Sequence, residues 1–286
     1  MAYTIGLAQS GYPEDGDVRA QARSYAQRAA EAGCQLVVFP ENFMWPHKLS
    51  LEELIALAEP VDGPFVEDVA AVMAEHGLWA VFTMNERNPE GGLPFNTAIV
   101  SGPDGQVHAS YRKCHLYDAL GVRESDRLTA GSQLPDAVHT PFCTIGLQIC
   151  YDLRFAEAAR VAALAGCDLI VYPAAWHVGR CKPEQWETLL RARAIENELF
   201  VAGTCRSGKG FVGRSLVADP MGRVLAQGEG GTKPDGLESL VVCEVDNEVM
   251  DRTRENMPIL GHRRPELYEP LVAEVVHASS KPAGLA

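Results

Sequence analysis

Short apolar segments alternate with segments of helical periodicity along almost the entire chain, and this alternation is typical of a mixed α/β fold. The segment 168–172 is nearly continuous in apolar residues, as expected for a strand that is covered on both faces of its sheet. Gly-Pro-Asp-Gly at 102–105 and Asp-Pro-Met-Gly at 219–222 have the composition of tight turns and predict hairpins. The predicted fold class is therefore α/β, with helices that cover the faces of a sheet.

The same pattern predicts the individual elements. Helices are predicted at 17–32, 64–76, 155–165, 183–198 and 247–256. Strands are predicted at 3–9, 35–39, 78–84, 96–101, 106–111, 144–150, 168–172, 200–204, 215–219, 223–227 and 240–245. No repeat or linker divides the chain, so residues 1–270 are expected to form one domain. Residues 271–286 are expected to be a tail that is flexible at its end.

Composition argues against several classes of protein. The hydrophobic share of 47% allows a large core without disulfides or metals. A net charge of -13 argues against nucleic acid or an anionic membrane as the main partner. The N-terminus lacks a signal-peptide pattern and no apolar run reaches the roughly 18 residues of a membrane helix, so a cytoplasmic protein is expected. The eight cysteines are scattered without a C-x-x-C pair, which predicts free thiols and no zinc site.

A carboxylate follows the second predicted strand, at the kind of position where open α/β sheets bind their ligands. Glu41 comes after the strand at 35–39 and lies among Phe39, Phe43 and Trp45. Burial in such surroundings would raise the pKa of Glu41 and favour a role as general base. The alternative for Glu41 is a solvated position in a loop.

Lys113 and Cys150 stand at two further strand exits. Lys113 follows the strand at 106–111, where a cation can hold a developing oxyanion; the alternative is a surface lysine. Cys150 lies between the strand at 144–150 and the helix at 155–165, which is the corner of a nucleophile elbow. A helix N-terminus and a nearby cation would lower the pKa of its thiol. The alternative for Cys150 is a buried core cysteine.

Three motifs in the order Glu, Lys, Cys resemble those of the nitrilase superfamily of carbon–nitrogen hydrolases. They are Phe-Pro-Glu-Asn at 39–42, Tyr-Arg-Lys-Cys-His-Leu-Tyr-Asp at 111–118 and Cys-Tyr-Asp-Leu-Arg-Phe at 150–155. Further similarity follows at 189–197, 219–222 and 262–268. The resemblance therefore covers nearly the whole chain, from Tyr3 to Tyr268.

This resemblance implies a four-layer α-β-β-α sandwich and a homodimer in which two subunits pack helix to helix. It also implies Glu41 as the base, Lys113 as the lysine that holds the oxyanion and Cys150 as the nucleophile. Glu124 resembles the second glutamate that many members carry between the Lys and Cys motifs. The backbone N–H of Tyr151 is a candidate oxyanion donor by the same resemblance. No metal or organic cofactor is implied.

The motifs are similar to those of the amidase branch that holds ω-amidases and deaminated-glutathione amidases. This similarity implies hydrolysis of a small carboxylate-bearing amide to acid and ammonia through a thioester on Cys150. Ala156 replaces the proline usual in that branch, and the loop at 172–177 also differs. An N-carbamoyl amidohydrolase and a nitrilase are the alternatives within the family. An acyltransferase and a non-catalytic binding protein on the same fold are alternatives from other classes.

Substrate contacts are expected from the side chains of Arg154, Trp176 and His177. Arg154 is a candidate ligand for a substrate carboxylate, and the alternative is an ion pair with Asp152 or Glu157. Trp176 and His177 follow a strand, in a loop that is expected to line the pocket for the acyl group. The alternative for His177 is a purely structural role.

Overall fold

The computed structural model describes residues 1–230 and 238–268, so the predicted tail at 271–286 lies outside the described residues. The strands are β1 Ala2–Gln9, β2 Leu36–Val38, β3 Trp79–Glu86, β4 Phe95–Ser101, β5 Val107–Arg112, β6 Asp118–Ala119, β7 Val122–Arg123, β8 Val138–His139, β9 Thr144–Leu147, β10 Leu169–Ala174, β11 Phe200–Cys205, β12 Leu216–Ala218, β13 Val224–Gln227 and β14 Ser239–Asp246. The helices are α1 Val18–Glu31, α2 Leu51–Leu57, α3 Pro64–Glu75, α4 Ala156–Leu164, α5 Lys182–Asn197 and α6 Asn247–Asn256.

Local sequence explains where several helices begin and end. The Asp17 side chain caps α1 by accepting a backbone N–H at 2.9 Å, and Gly33 follows the helix at φ +71°, which glycine adopts without steric cost. Pro64 opens α3, where its missing N–H costs no helical hydrogen bond. α2 was not among the predicted helices, although Ser50 and Glu53 form a capping box at its start.

The strands form two six-stranded sheets. Their orders are β14-β1-β2-β3-β4-β5 and β13-β12-β11-β10-β9-β8. The centre of each sheet is parallel, through β1, β2 and β3 in the first and β9, β10 and β11 in the second. Antiparallel strands extend both sheets to their edges. The short strands β6 and β7 form a separate hairpin.

Alternating side chains divide the core into two layers on either side of the first sheet. Leu36 and Val38 of β2 belong to the apolar core shared with the second sheet, whereas Val37 belongs to the core beneath α1 and α3. α5 packs on the second sheet at Gly203, where a Cβ atom would come within 2.6 Å of Leu190 and Trp186. The order helices, sheet, sheet, helices is the predicted four-layer α-β-β-α sandwich.

Five strand ends meet at one edge of this sandwich. Glu41 follows β2 and Lys113 follows β5, which runs parallel to β2 because two antiparallel pairings separate it from β3. Cys150, Ala175 and Arg206 follow β9, β10 and β11 in the second sheet. The fold therefore brings segments far apart in sequence to one edge, as the strand-exit argument predicts.

Candidate active site

The Glu41 carboxylate lies at the centre of the polar cluster at this edge. It is buried, with only 3% of the residue exposed. Its Oε1 accepts hydrogen bonds from Asn96 Nδ2 at 2.9 Å and Lys113 Nζ at 2.8 Å. Its Oε2 accepts the backbone N–H of Ala175 at 2.8 Å, and the carboxylate lies close enough to the Cys150 thiol for its charge to act on it. Three donors from both sheets thus fix this group in one orientation.

Lys113 lies between two carboxylates. In addition to Glu41, its Nζ contacts Glu124 Oε1 at 2.9 Å and Oε2 at 2.8 Å. Glu124 is itself held by the backbone N–H of Tyr117 at 2.6 Å. Only 2% of Lys113 is exposed, so its ammonium can point only where these partners direct it. The predicted Glu124 therefore reaches Lys113 directly.

Cys150 stands on a strained turn. Its φ is +43°, in the left-handed region that costs about 1–3 kcal/mol for a residue with a side chain. It begins a 3₁₀ turn, Cys150–Arg154, so the predicted strand at 144–150 ends earlier, at Leu147. The first N–H groups of such a turn have no partner within it, and Tyr151 supplies one of them. This geometry matches the elbow expected from the sequence.

The charges of the cluster differ from the expectation in two respects. Burial acts to raise the pKa of Glu41, but the Lys113 ammonium and the hydrogen bonds outweigh it and hold that pKa below its usual range. The predicted rise for Glu41 is wrong because the sequence does not reveal these donors. Burial and the Glu41 charge raise the pKa of the Cys150 thiol well above its usual value, against the opposing effect of Lys113. The predicted lowering of the thiol pKa is therefore also wrong for the resting protein.

The third ionisable group of the cluster is the Lys113 ammonium. Burial acts to lower its pKa, but the carboxylates of Glu124 and Glu41 outweigh burial and raise the pKa well above its usual value. At neutral pH the cluster therefore holds an ionised Glu41, an ammonium on Lys113 and an uncharged thiol on Cys150.

A buried aspartate locks the turn that carries Cys150. Asp152 Oδ2 accepts the Ile149 N–H at 2.8 Å and the Tyr111 hydroxyl at 2.9 Å. Asp152 Oδ1 lies 2.7 Å from His115 Nδ1, and His115 also donates its backbone N–H at 3.2 Å. Because Tyr111 and His115 flank Lys113, one carboxylate ties the Cys150 turn to the lysine segment.

Two buried arginines donate hydrogen bonds to main-chain carbonyls next to the cluster. Arg193 on α5 donates to the Leu153 carbonyl from Nε at 3.1 Å and from a terminal nitrogen at 2.8 Å, which anchors the Cys150 turn. Arg206 donates to the carbonyls of Glu41 at 3.3 Å, Asn42 at 2.5 Å and Gly11 at 2.9 Å. Arg206 was not among the predicted site residues, although its position directly after β11 is a strand exit like the others.

Three of the predicted substrate residues lie next to this cluster. The Tyr151 ring contacts the Tyr117 ring at 4.9 Å between centroids. Trp176 is buried, and the guanidinium of Arg154 lies 4.7 Å from its ring centre. The alternative of an ion pair between Arg154 and Asp152 or Glu157 is wrong, because Asp152 is occupied and Arg154 donates to Gln185 at 2.8 Å.

His177 lies apart from these residues. Its ring is exposed, stacks on Phe211 at 4.9 Å and places Nδ1 3.3 Å from the Gly210 carbonyl. The predicted pocket role for His177 therefore has no support in these contacts. In the same loop, the backbone N–H of Ala175 donates the hydrogen bond to Glu41.

The remaining sequence expectations concern thiols, metals and membranes. All eight cysteines are free thiols in the structure. Across 1–230 and 238–268, no group of three or more His, Cys, Asp or Glu side chains could hold a metal ion. Within the same ranges, every helix is too short or too polar to cross a membrane.

A four-layer sandwich with Glu, Lys and Cys side chains gathered at its strand ends defines a protein of the nitrilase superfamily. The chain belongs to the carbon–nitrogen hydrolase family, whose conserved region matches residues 4–255. It is therefore a hydrolase that acts on carbon–nitrogen bonds other than peptide bonds, and the resemblance drawn from the three motifs is confirmed.

Known relatives are similar over most of the chain. Human omega-amidase NIT2 is 34% identical over an alignment of 258 residues, which covers 87% of this chain and 90% of that protein. The crystal structure of Caenorhabditis elegans NitFhit superposes with a TM-score of 0.83 at 32% identity, over 93% of this chain and 66% of that longer chain. The NitN amidase of Nesterenkonia sp. AN1 superposes with a TM-score of 0.76 at 25% identity, over 95% of this chain and 99% of the amidase.

Proposed function

We propose that this protein hydrolyses a linear carboxamide of a small molecule to the acid and ammonia through a thioester on Cys150. The observation that carries the proposal is that one carboxylate, Glu41, bonds the Lys113 ammonium at 2.8 Å and lies close enough to the Cys150 thiol for its charge to act on that thiol. In this arrangement a base can activate a nucleophile beside a cation that can stabilise a developing oxyanion. The similarity to an omega-amidase and to a bacterial amidase supports an amide as the substrate.

In the first half-reaction Glu41 takes the proton of the Cys150 thiol while the sulfur attacks the amide carbon. The transfer moves a proton between two buried groups, so the net charge of the cluster stays constant while the thiolate forms. A loss of that proton to water would instead add a second negative charge to a buried site, which the raised thiol pKa disfavours. Attack and deprotonation are therefore coupled to the arrival of substrate.

The tetrahedral oxyanion is held by Lys113 and by the backbone N–H of Tyr151. An ammonium has three N–H donors, and the two near-equal distances to Glu124 allow its oxygens to share one of them. Glu41 keeps a second donor, which leaves a third for the oxyanion. As the C–N bond breaks, Glu41 returns its proton to the leaving nitrogen, and ammonia departs from the thioester.

In the second half-reaction Glu41 takes a proton from a water molecule that attacks the thioester. The new oxyanion uses the same donors, and its collapse breaks the C–S bond and returns the proton to the Cys150 sulfur. Glu124 is proposed to orient Lys113 throughout. Arg154 is proposed to bind a carboxylate at the far end of the substrate, because its guanidinium stacks on Trp176 and, among the described residues, its side-chain hydrogen-bond partner is the neutral Gln185.

We also propose that two copies form a homodimer in the cytoplasm. Apolar side chains on the outer helices are exposed, including Val161 and Leu164 on α4 and Ile195 on α5. An apolar patch of this kind is typical of a surface that another protein covers. Eight free thiols agree with a reducing compartment.

The test is ammonia release from a panel of short ω-amide acids, aliphatic amides, N-carbamoyl amino acids and nitriles. Wild type and Cys150→Ala are compared, with Cys34→Ala as the control for a buried cysteine outside the cluster. Cys150-dependent release of ammonia from amides supports the proposal. Turnover of only carbamoyl compounds or nitriles would change the proposed substrate class and leave the proposed roles of Glu41, Lys113 and Cys150 unchanged. Turnover that survives in Cys150→Ala, or no turnover of any compound, contradicts it.

A further inference from the structure

Two cations share one aromatic ring close to Cys150. The guanidinium carbon of Arg154 lies 4.7 Å from the centre of the Trp176 ring, and Lys182 Nζ lies 4.7 Å from the same ring. Lys182 Nζ is also 4.9 Å from the centre of the Tyr117 ring. Stacking on aromatic faces stabilises each cation but leaves its charge unneutralised.

Neither cation forms an ion pair with a carboxylate in the ranges 1–230 and 238–268. Arg154 donates to the neutral Gln185 side chain at 2.8 Å, and Lys182 Nζ reaches the Tyr117 hydroxyl at 3.5 Å. Lys182 is 7% exposed, and its backbone is fixed because Trp176 Nε1 donates to its carbonyl at 3.0 Å. Like charges held side by side at a partly buried site are costly, and a bound anion reduces this cost.

The pair lies next to the reacting thiol. Arg154 ends the 3₁₀ turn that Cys150 begins. Burial and the Arg154 charge lower the pKa of Lys182, while Cys150 is close enough to act in the opposite direction. Tyr117, on which Lys182 stacks, contacts the ring of Tyr151 beside the nucleophile. An anion bound by both cations would therefore lie within the length of a small substrate held at Cys150.

We propose that Lys182 is a specificity-determining residue that binds, together with Arg154, the carboxylate of the substrate at the end remote from the scissile amide. The inference rests on the proposed amidase function. A carboxylate has two oxygens, so one can take a hydrogen bond from the guanidinium and the other from the ammonium. Lys182 would thus add a second cation to the Arg154 contact and increase the preference for amides with a remote carboxylate over neutral amides.

The test compares glutaramic acid with pentanamide, in which a methyl group replaces the carboxylate. A charge-assisted hydrogen bond contributes enough that Lys182→Met should raise the KM for glutaramic acid about tenfold to a hundredfold. The KM for pentanamide should change far less, and Lys182→Arg should recover most of the preference for the acid. Lys48→Met, at an exposed lysine, is the matched control and should leave both KM values unchanged.

A binding measurement separates this inference from the proposed function. Calorimetric titration of glutarate into Cys150→Ala needs no turnover, and addition of Lys182→Met should weaken binding about tenfold or more. Equal glutarate affinity with and without Lys182 overturns the inference, as does an equal KM change for both amides. Absence of amidase activity would contradict the proposed function. The glutarate affinities with and without Lys182→Met would then decide alone whether the anion site exists.

Discussion

Arg206 donates to the main-chain carbonyl of Glu41 at 3.3 Å without touching its carboxylate. The same guanidinium bonds the carbonyls of Asn42 and Gly11 and stacks on Tyr12 at 4.2 Å. Asn42 adopts φ +59°, so the backbone beside the proposed base is strained and needs this support. A fully buried cation thus fixes the backbone from which the Glu41 side chain projects.

Arg206→Met should destabilise the protein by about 2–4 kcal/mol, because it removes three hydrogen bonds to main-chain carbonyls and the cation that stacks on Tyr12. Activity should fall together with the free energy of unfolding, measured by urea denaturation. Arg206→Lys should recover only part of the loss, since one ammonium cannot match the guanidinium fork. Arg252→Met, at an exposed arginine, is the control and should change stability by no more than about 0.5 kcal/mol. An unchanged unfolding free energy in Arg206→Met would rule out the support described here.

Alkylation of Cys150 by iodoacetamide should increase with pH well into the alkaline range in the wild type. Burial and the Glu41 charge raise the pKa of the thiol, so the reactive thiolate forms only above its usual pH range. Glu41→Gln removes a negative charge, so it should move the alkylation profile to lower pH even as it abolishes turnover. Peptide mass spectrometry measures the profile, and exposed Cys181 in the same digest is the control, with one profile in both proteins. A Cys150 profile that does not move would contradict the charge coupling.

Glu124→Gln should lower kcat about a hundredfold while KM changes little, because it loosens Lys113 without removing it. Melting temperature and steady-state kinetics are measured together, so that a loss of folded protein is distinguished from a loss of positioning. Asp126→Asn, an exposed position in the same 3₁₀ turn, is the matched control and should behave as wild type. Equal kcat values for the two variants would exclude the proposed orienting role.

Asp152→Asn should cost about 2–4 kcal/mol of stability, since an amide nitrogen would face donors that now meet a carboxylate oxygen. Activity should be lost as well, because the same carboxylate holds the strained Cys150 turn. Thermal unfolding and kcat are the measurements. Asp104→Asn, at an exposed turn position, serves for comparison and should unfold close to the wild-type temperature.

Ile195→Glu should convert the proposed dimer to monomers, since it places a charge in an apolar surface patch on α5. Sedimentation velocity measures the molecular mass in solution. Leu120→Glu, an exposed apolar residue on the β6–β7 hairpin, should leave the mass unchanged. A wild-type protein that sediments as a monomer would refute the dimer proposal.

Most of the fold was predictable because its signals are local. Apolar periodicity and turn residues placed the main strands and most helices within a few residues, and Asp17 and Gly33 marked both ends of α1. α2 was missed because it is seven residues long and buries only Leu54, so its periodicity is weak. The two-residue strands β6, β7 and β8 depend on pairing partners and carry little signal of their own.

The site was predictable only in part because its contacts join distant segments. Strand exits and motif order identified Glu41, Lys113 and Cys150. Ala175 bonds Glu41 across 134 residues and Arg206 does so across 165, which no local pattern reveals. The two incorrect pKa directions have different origins. For Glu41 the sequence indicated burial but not the donors, whereas for Cys150 it indicated a nearby cation but not the burial and the Glu41 charge that outweigh it.

The balance of charge around Glu41 also has a consequence for the end of the catalytic cycle. Glu41, Glu124 and Lys113 together carry one excess negative charge next to the reacting carbon. The amide group that arrives there is neutral, whereas the carboxyl group formed from it is ionised at neutral pH. The cluster around Glu41 therefore repels the new carboxylate at the point where it is made, which favours its departure from Cys150.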